Sequence, residues 1–412
     1  MRYSTWLILS ALLWSTGCST LAFKQRSAPE TSGISTVSIR PVGAIVQTGV
    51  GCLKNVEELR IQTADHLQRA QFLNQADGWV SSKRSLFTTN DSGKSWKQLH
   101  LKIPDDGRIG SFFFLSRQNG WVAVVTEIST DQNVVSDASR LSVTSDGGKT
   151  WTERKLFNQE VEINVLRFLN TQLGFAAGLR MVRGKVPYPE MFLASTNDGG
   201  ATWRDVSAEA KRAITDAGGK SNDYVADFVF TSEGHVSVLT SLGRIITSSE
   251  SGKSWKQLNQ FRDERPQTGF QKLFLYDETM TLLSGTISQE GTWGDLIMQD
   301  TKEGWTTYEL NNLALFDLEF LSRDSIVAAG GAFKGYSRSG SDYKGRLFPG
   351  VILRSTDGGK NWLEIYRSKS NRPIVDVIKV GPNQLYAIGN DGTFLRLELQ
   401  TCDGSNSVAA IR

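Results

Sequence analysis

Six carboxylates recur along the chain at nearly even intervals: Asp91, Asp146, Asp198, Glu250, Asp300 and Asp357. The steps between them are 55, 52, 52, 50 and 57 residues. Each is followed five residues later by a tryptophan: Trp96, Trp151, Trp203, Trp255, Trp305 and Trp362. The octets read TNDSGKSW, TSDGGKTW, TNDGGATW, SSESGKSW and STDGGKNW, with a worn copy, MQDTKEGW, at 298–305. A carboxylate beside hydroxyls is the raw material of acid–base catalysis or of metal binding. The Gly-Lys-Ser/Thr inside three copies suggests a phosphate-cradling loop, but that motif needs a glycine five residues earlier. Thr88, Val143 and Thr247 stand there instead, which excludes it. Turn chemistry accounts for every fixed position. Ser/Thr and Asp side chains bond backbone groups of their own turn. The glycine two residues after the acid supplies positive φ, and the tryptophan buries a ring as the next strand begins. The octet is expected to be a self-bonded turn between two strands rather than a catalytic site.

A fixed period near 50 residues points to a repeat architecture. Upstream of each octet runs an apolar strand, a polar turn, then Gly-Trp or Gly-Phe and a second apolar strand. Examples are QFLNQADGWVSS (71–82), FFFLSRQNGWVAVV (112–125) and RFLNTQLGFAAG (167–178). The octet resembles the Asp box of BNR-type β-propellers. The whole repeat resembles the Ycf48/Hcf136-like family, the exported photosystem II assembly factors and their bacterial relatives, over about residues 60–400. The resemblance implies a non-catalytic propeller that offers an arginine-rich patch to a membrane-protein partner.

The chain has 412 residues, a net charge of +3 and 22% charged residues, a soluble balance with no charge signature of nucleic-acid binding. First strands near 70, 111, 164, 225, 271, 316 and 374 predict an all-β, seven-bladed β-propeller over 37–402, with 403–412 as a C-terminal tail. The last repeat, 374–399, has three strand-like runs and no tryptophan strand, so an N-terminal strand is expected to complete its blade and remove two sheet edges. Cys52 and Cys402 flank the two segments that must meet, and in an oxidising compartment they could form a disulfide staple; two unpaired thiols are the alternative. Residues 1–18 read as a signal, with Arg2 before an apolar stretch too short to span a bilayer. Ser15-Thr16-Gly17-Cys18 resembles a lipobox with Cys18 as the lipidated residue; an ordinary cleaved secretory signal is the alternative. Residues 19–36 read as a flexible tether. Export, lipid anchoring at the periplasmic or thylakoid-lumen side and a monomeric state are the expectation.

In a propeller, connections 1-2 and 3-4 share one face, and connections 2-3 and 4-1 share the other. The octets are 3-4 turns. All long insertions fall in the other class: 126–140, 179–190, 286–294 and 332–349 between strands 2 and 3, and 204–224 and 256–269 between strands 4 and 1. Varied loops on one face mark it as the working surface. The insertions supply Arg180, Arg183, Lys185, Arg262, Arg265, Phe333, Tyr336, Arg338, Tyr343, Lys344 and Arg346, and Arg367 and Arg372 lie on a further 4-1 connection. Arginines and aromatics are enriched in protein-binding hot spots. Residues 206–217 carry a helical pattern within one insertion.

No cofactor and no metal site are expected: His66, His100 and His235 are scattered without ligand spacing. The enzymatic rival is a sialidase-like glycoside hydrolase. The nearest text to its Arg-Ile-Pro is Ile39-Arg40-Pro41, out of order, and a carboxylate pair drawn from different blades is invisible in sequence. A glycan-binding module is the other alternative, since Tyr336, Tyr343, Trp293 and Phe348 could stack on sugars.

Overall fold

The computed structural model describes residues 35–38, 42–43, 45–48, 52–63, 65–129, 135–155, 161–182, 188–215, 223–232, 234–262, 269–277, 279–287, 292–300, 304–311, 313–339 and 342–402. Of these, 35–48, 127–129, 135–138, 155, 188, 215, 262, 285–287, 292–300, 304, 311, 332–339 and 342–348 are described by backbone alone. Cys18, Arg183, Lys185 and Arg265 lie outside the described residues, as do the signal, the C-terminal tail and most of the tether.

The chain begins with four strands that belong to sheets formed much later: β1 (Ser35–Ser38), β2 (Val42–Gly43), β3 (Ile45–Thr48) and β4 (Leu53–Arg60). The repeats follow. The first contains β5 (Leu67–Phe72), β6 (Gly78–Ser82), β7 (Leu86–Thr89) and β8 (Lys97–Gln98). The second contains β9 (Gly107–Phe114), β10 (Gly120–Ser129), β11 (Val135–Thr144) and β12 (Thr152–Lys155). The third contains β13 (Val161–Phe168), β14 (Gly174–Val182), β15 (Tyr188–Thr196) and β16 (Arg204–Asp205), and is followed by the helix α1 (Ser207–Thr215). The fourth contains β17 (Val225–Ser232), β18 (His235–Thr240), β19 (Arg244–Ser248) and β20 (Lys256–Arg262). The fifth contains β21 (Gly269–Tyr276), β22 (Thr279–Ile287), β23 (Thr292–Asp300) and β24 (Gly304–Asn311). The sixth contains β25 (Leu313–Phe320), β26 (Ile326–Ser339), β27 (Asp342–Ser355) and β28 (Asn361–Arg367). The last contains β29 (Ile374–Gly381), β30 (Gln384–Gly389) and β31 (Thr393–Leu399).

Among the described residues these strands form seven sheets, and within each the strands of one repeat run as an antiparallel meander. Strand β4 pairs antiparallel with β31, from Thr393↔Arg60 to Leu399↔Leu53, and supplies the outer strand of the last sheet. Cys52 and Cys402 are joined beside it by a disulfide, with Cα atoms 4.4 Å apart. Apolar side chains fill the space between successive sheets. Leu67, Phe72 and Val80 of the first sheet pack with Ile378, Ile388 and Phe394 of the last, so the layers close on themselves. The architecture is an all-β β-propeller.

The sequence analysis did not foresee β1, β2 and β3. They run parallel to the outer strands β20, β24 and β28 as a belt around three consecutive sheets. Ser35 and Thr36, inside the segment expected to be tether, are part of it. The physical reason lies in strand length. The outer strands of the first three sheets are 2, 4 and 2 residues long, whereas β20, β24 and β28 are 7, 8 and 7. A long outer strand presents a row of unpaired backbone groups, and the belt covers those edges.

The Gly-Trp/Gly-Phe motif has a steric origin. Phe72, Phe114 and Phe168, at the ends of the first strands, lie against Gly78, Gly120 and Gly174. A Cβ on those glycines would come within 2.2, 2.3 and 2.5 Å of the rings. The following aromatic then stacks on the next sheet: Trp79 on Phe114 at 4.1 Å and Trp121 on Phe168 at 3.8 Å.

Candidate functional site

The octets connect third and fourth strands, and each is tied to the 1-2 turn of its own sheet: Gly147 N–H donates to Gln118 O, Gly199 to Gln172 O and Gly358 to Asp324 O. In the second repeat, Thr144 donates to Asp146 Oδ1 at 2.8 Å and accepts from Gly148 N–H at 2.8 Å. Asp146 also accepts from the backbone N–H and hydroxyl of Thr150, at 3.0 and 2.6 Å. Asp91, Asp198 and Asp357 repeat the pattern through Ser95, Thr202 and Asn361. Glu250 keeps its bond from the Ser254 hydroxyl at 2.8 Å. The carboxyls of Asp91 and Asp146 are held down at about 2, chiefly by the hydroxyls of Ser95 and Thr150. At Asp198 burial pushes upward, but the Thr202 bonds outweigh it and the carboxyl again lies at about 2. A carboxylate held this way stays ionised as an acceptor and is a poor proton donor near neutral pH. Trp96, Trp255 and Trp362 close their turns by donating the indole N–H to Gly93, Gly252 and Gly359 O, and Trp362 is 2% exposed. In the worn copy, Asp300 pairs in register with Gly304, and Trp305 packs edge-on against Phe261 at 4.7 Å.

The opposite face differs from expectation in its backbone. Four of the insertions were expected as loops and are instead extensions of the second and third strands into ribbons. The ladder runs to Ser129↔Val135, Val182↔Tyr188, Ile287↔Thr292 and Ser339↔Asp342. Runs rich in β-branched and aromatic residues pair once a hairpin is begun, and a ribbon satisfies the backbone groups a loop would leave to water. The longest ribbon carries Phe333, Tyr336 and Arg338 on one strand and Tyr343, Lys344 and Arg346 on the other, with Arg338 opposite Tyr343 and Lys344 opposite Ser337. Helix α1 falls within the 206–217 segment. Arg262 ends β20.

Two of the basic residues assigned to this face are engaged within the protein. The Arg180 guanidinium bonds Glu190 Oε1 at 2.7 Å and Asp205 Oδ2 at 2.5 Å, and lies over the Phe192 ring. Burial lowers its pKa, but these carboxylates outweigh burial and the net shift is upward. Arg180 therefore braces the third sheet and does not reach outward. Arg367 pairs with Glu364 of its own strand. Arg372 is exposed.

The structure also shows a site that the sequence reading missed. The seven first strands surround a central cavity of about 460 Å³. Each carries a β-bulge, and the residues just after it are Arg69, Ser111, Val165, Asp227, Lys272, Asp317 and Asp376. Together with Arg167 they cross every junction between sheets. Arg69 donates to Ser111 Oγ at 2.9 Å, and Ser111 Oγ accepts from Leu166 N–H at 3.2 Å. Arg167 pairs with Asp227 at 2.5 Å, and Asp227 accepts from Leu273 N–H at 3.2 Å. Lys272 pairs with Asp317 at 2.8 Å, and Asp317 accepts from Val377 N–H at 3.1 Å. Asp376 accepts from Ala70 N–H at 2.9 Å and closes the circle. A bulge re-aims the residue beside it, which is how a strand otherwise packed between sheets presents polar groups to the axis. In sequence these residues are scattered among apolar runs, and only the alignment of first strands relates them.

Among the described residues, no cluster of three or more His, Cys, Asp or Glu side chains is placed to hold a metal ion. Among the same residues, no helix is long and apolar enough to cross a membrane.

The closed ring of meanders, the self-bonded octets on one face and the ribbons on the other define a β-propeller. No family model matches the chain. The photosystem II assembly lipoprotein Ycf48 of Synechococcus sp. (strain CC9902) is 24% identical over 287 residues, covering 69% of this chain and 70% of that protein. A solved structure of YCF48 bound to a D1 peptide superposes with a TM-score of 0.58 at 17% identity, covering 85% of this chain and 99% of that one. YCF48 from Cyanidioschyzon merolae gives 0.56 at 16% identity, covering 83% and 98%. The chain is similar in sequence to Ycf48 and shares the propeller fold of the YCF48 structures.

Proposed function

We propose that the protein is an exported, lipid-anchored, non-catalytic seven-bladed propeller that binds a membrane-protein partner, in the manner of a photosystem II assembly factor. The likeness to Ycf48, a lipoprotein by its printed name and a binder of a D1 peptide in its solved structure, carries this reading. Cys18 is the lipidated residue in this reading, and the ribbon face is the contact. The octets favour that choice of face, because their polar groups are spent on their own turns. Exposed basic groups on a rim act mainly on association rate and salt dependence, so they matter as a set. The combined variant Arg338→Ala, Lys344→Ala, Arg346→Ala is expected to fold normally and to lose capture of the partner from detergent-solubilised membranes. A control with Lys94, Lys149 and Lys253, on the octet face, replaced by alanine is expected to retain capture. Loss in the control with retention in the ribbon variant would assign the contact to the wrong face.

A further inference from the structure

Four cations line the channel, Arg69, Arg167, Lys272 and Lys379, and they are not equivalent; Lys379 donates to Leu321 O at 3.1 Å. Arg167 and Lys272 each have a carboxylate partner across a junction, Asp227 and Asp317. Arg69 has only the neutral Ser111 hydroxyl, which accepts from one of its terminal nitrogens at 2.9 Å. Among the described residues it makes no ion pair. Arg69 is half-buried among the inner strands and lines the cavity. Burial pulls its pKa below the ordinary value; the like charge of Arg167 acts in the same direction, and the carboxylates of Asp376, Asp227 and Asp317 act against it. A guanidinium carries five donors and stays protonated. No carboxylate is in direct contact with Arg69 among the described residues, so its remaining donors face the cavity and suit an anion there. The cavity is of the size that holds a small molecule. Its wall also includes Phe113, Leu275, Tyr276 and Phe320, and Tyr276 stacks on Phe320 at 5.2 Å.

We propose that the central channel binds a small organic carboxylate with an apolar or aromatic body, its carboxylate held by the free guanidinium nitrogens of Arg69 and its body against the Tyr276–Phe320 wall. The anion would lie between Arg69 and Arg167 and relieve their mutual repulsion. A planar fork of N–H donors matches a carboxylate in two-point contact. This site is separate from the ribbon face and does not depend on the identity of the protein partner.

Titration of the purified full chain with phenylacetate, followed by calorimetry and by thermal melting, tests the proposal. The wild-type protein is expected to bind at up to millimolar concentration and to melt higher with the probe. Phenylacetamide, which has the same body without the charge, is expected not to bind. Arg69→Gln is expected to weaken phenylacetate at least ~10-fold, within the range of a charge-assisted bond, while Arg372→Ala leaves it unchanged. The wild-type Arg69 Nε–H resonance, assigned by its loss in Arg69→Lys, is expected to shift on titration. Should Arg69→Gln fail to fold, that resonance decides alone, because a purely structural arginine would not respond to the probe. Absence of binding to the wild type, equal binding of the amide, or undiminished binding to Arg69→Gln would each overturn the site.

Discussion

Closure of the ring can be tested by cutting one covalent bond. The Cys52–Cys402 disulfide spans 350 residues of sequence. The chain-entropy relation for a loop of that length gives a ceiling of about 6 kcal/mol at 25 °C, and natural disulfides return roughly 2–5 kcal/mol. The strand it pins has little else. In β4 only Leu53, Val56 and Leu59 are half-buried and the other five residues are exposed. Its ion pairs, Lys54–Glu398 at 2.7 Å, Arg396–Glu57 at 2.8 Å and Arg60–Asp391 at 3.8 Å, are at the surface and contribute up to about 1 kcal/mol each. Cys402→Ser is therefore expected to lower the unfolding free energy by about 2–5 kcal/mol, read as a drop in the urea midpoint. The loss should begin locally, since opening needs only β4 to leave β31. Amide exchange should accelerate at 53–60 and 393–399 before it does in β5–β7. An unchanged midpoint together with unchanged protection of β4 would refute the view that the disulfide holds the ring shut.

Two further outcomes follow from the site geometry. Asp317→Ala leaves Lys272 without its carboxylate and Val377 N–H without its acceptor at a fully buried position, and is expected to cost about 3–5 kcal/mol in denaturant melts; a loss below about 1 kcal/mol would show that the channel ring is not structural. The octet carboxylates Asp91, Asp146 and Asp198, held at about 2, lie below the unfolded value, so their contribution is complete above about pH 4 and is lost as pH falls through about 2. An NMR titration of their side-chain carboxyl carbons checks this, and midpoints near 4 would remove the hydroxyl bonds from the account.

The octets were legible because each is a local device. Thr144, Asp146, Gly148 and Thr150 bond one another within seven residues, and such chemistry must be written into a short stretch of sequence. The repeat, the propeller fold and the split between faces followed from its spacing. The signal for the strands was equally local, in the alternation that places Phe72, Phe114 and Phe168 at their ends. Loop composition also marked where the ribbons rise, but not that they pair, because pairing depends on register across a hairpin. Nor did it show that Arg180 turns inward, since its partners Glu190 and Asp205 lie on two other strands.

What tertiary structure decided is whatever depends on residues brought together from distant repeats. The belt exists because β20, β24 and β28 are long edges, yet it is formed by residues more than 200 positions earlier. The channel ring joins Arg69, Ser111, Arg167, Lys272 and three aspartates from seven strands, each strand carrying a bulge that its sequence does not announce. Sequence determines turns and strands because their hydrogen bonds and apolar faces are set within a few residues. The open donors of Arg69 are a property of the closed ring alone, because only there do the first and last sheets meet around one cavity.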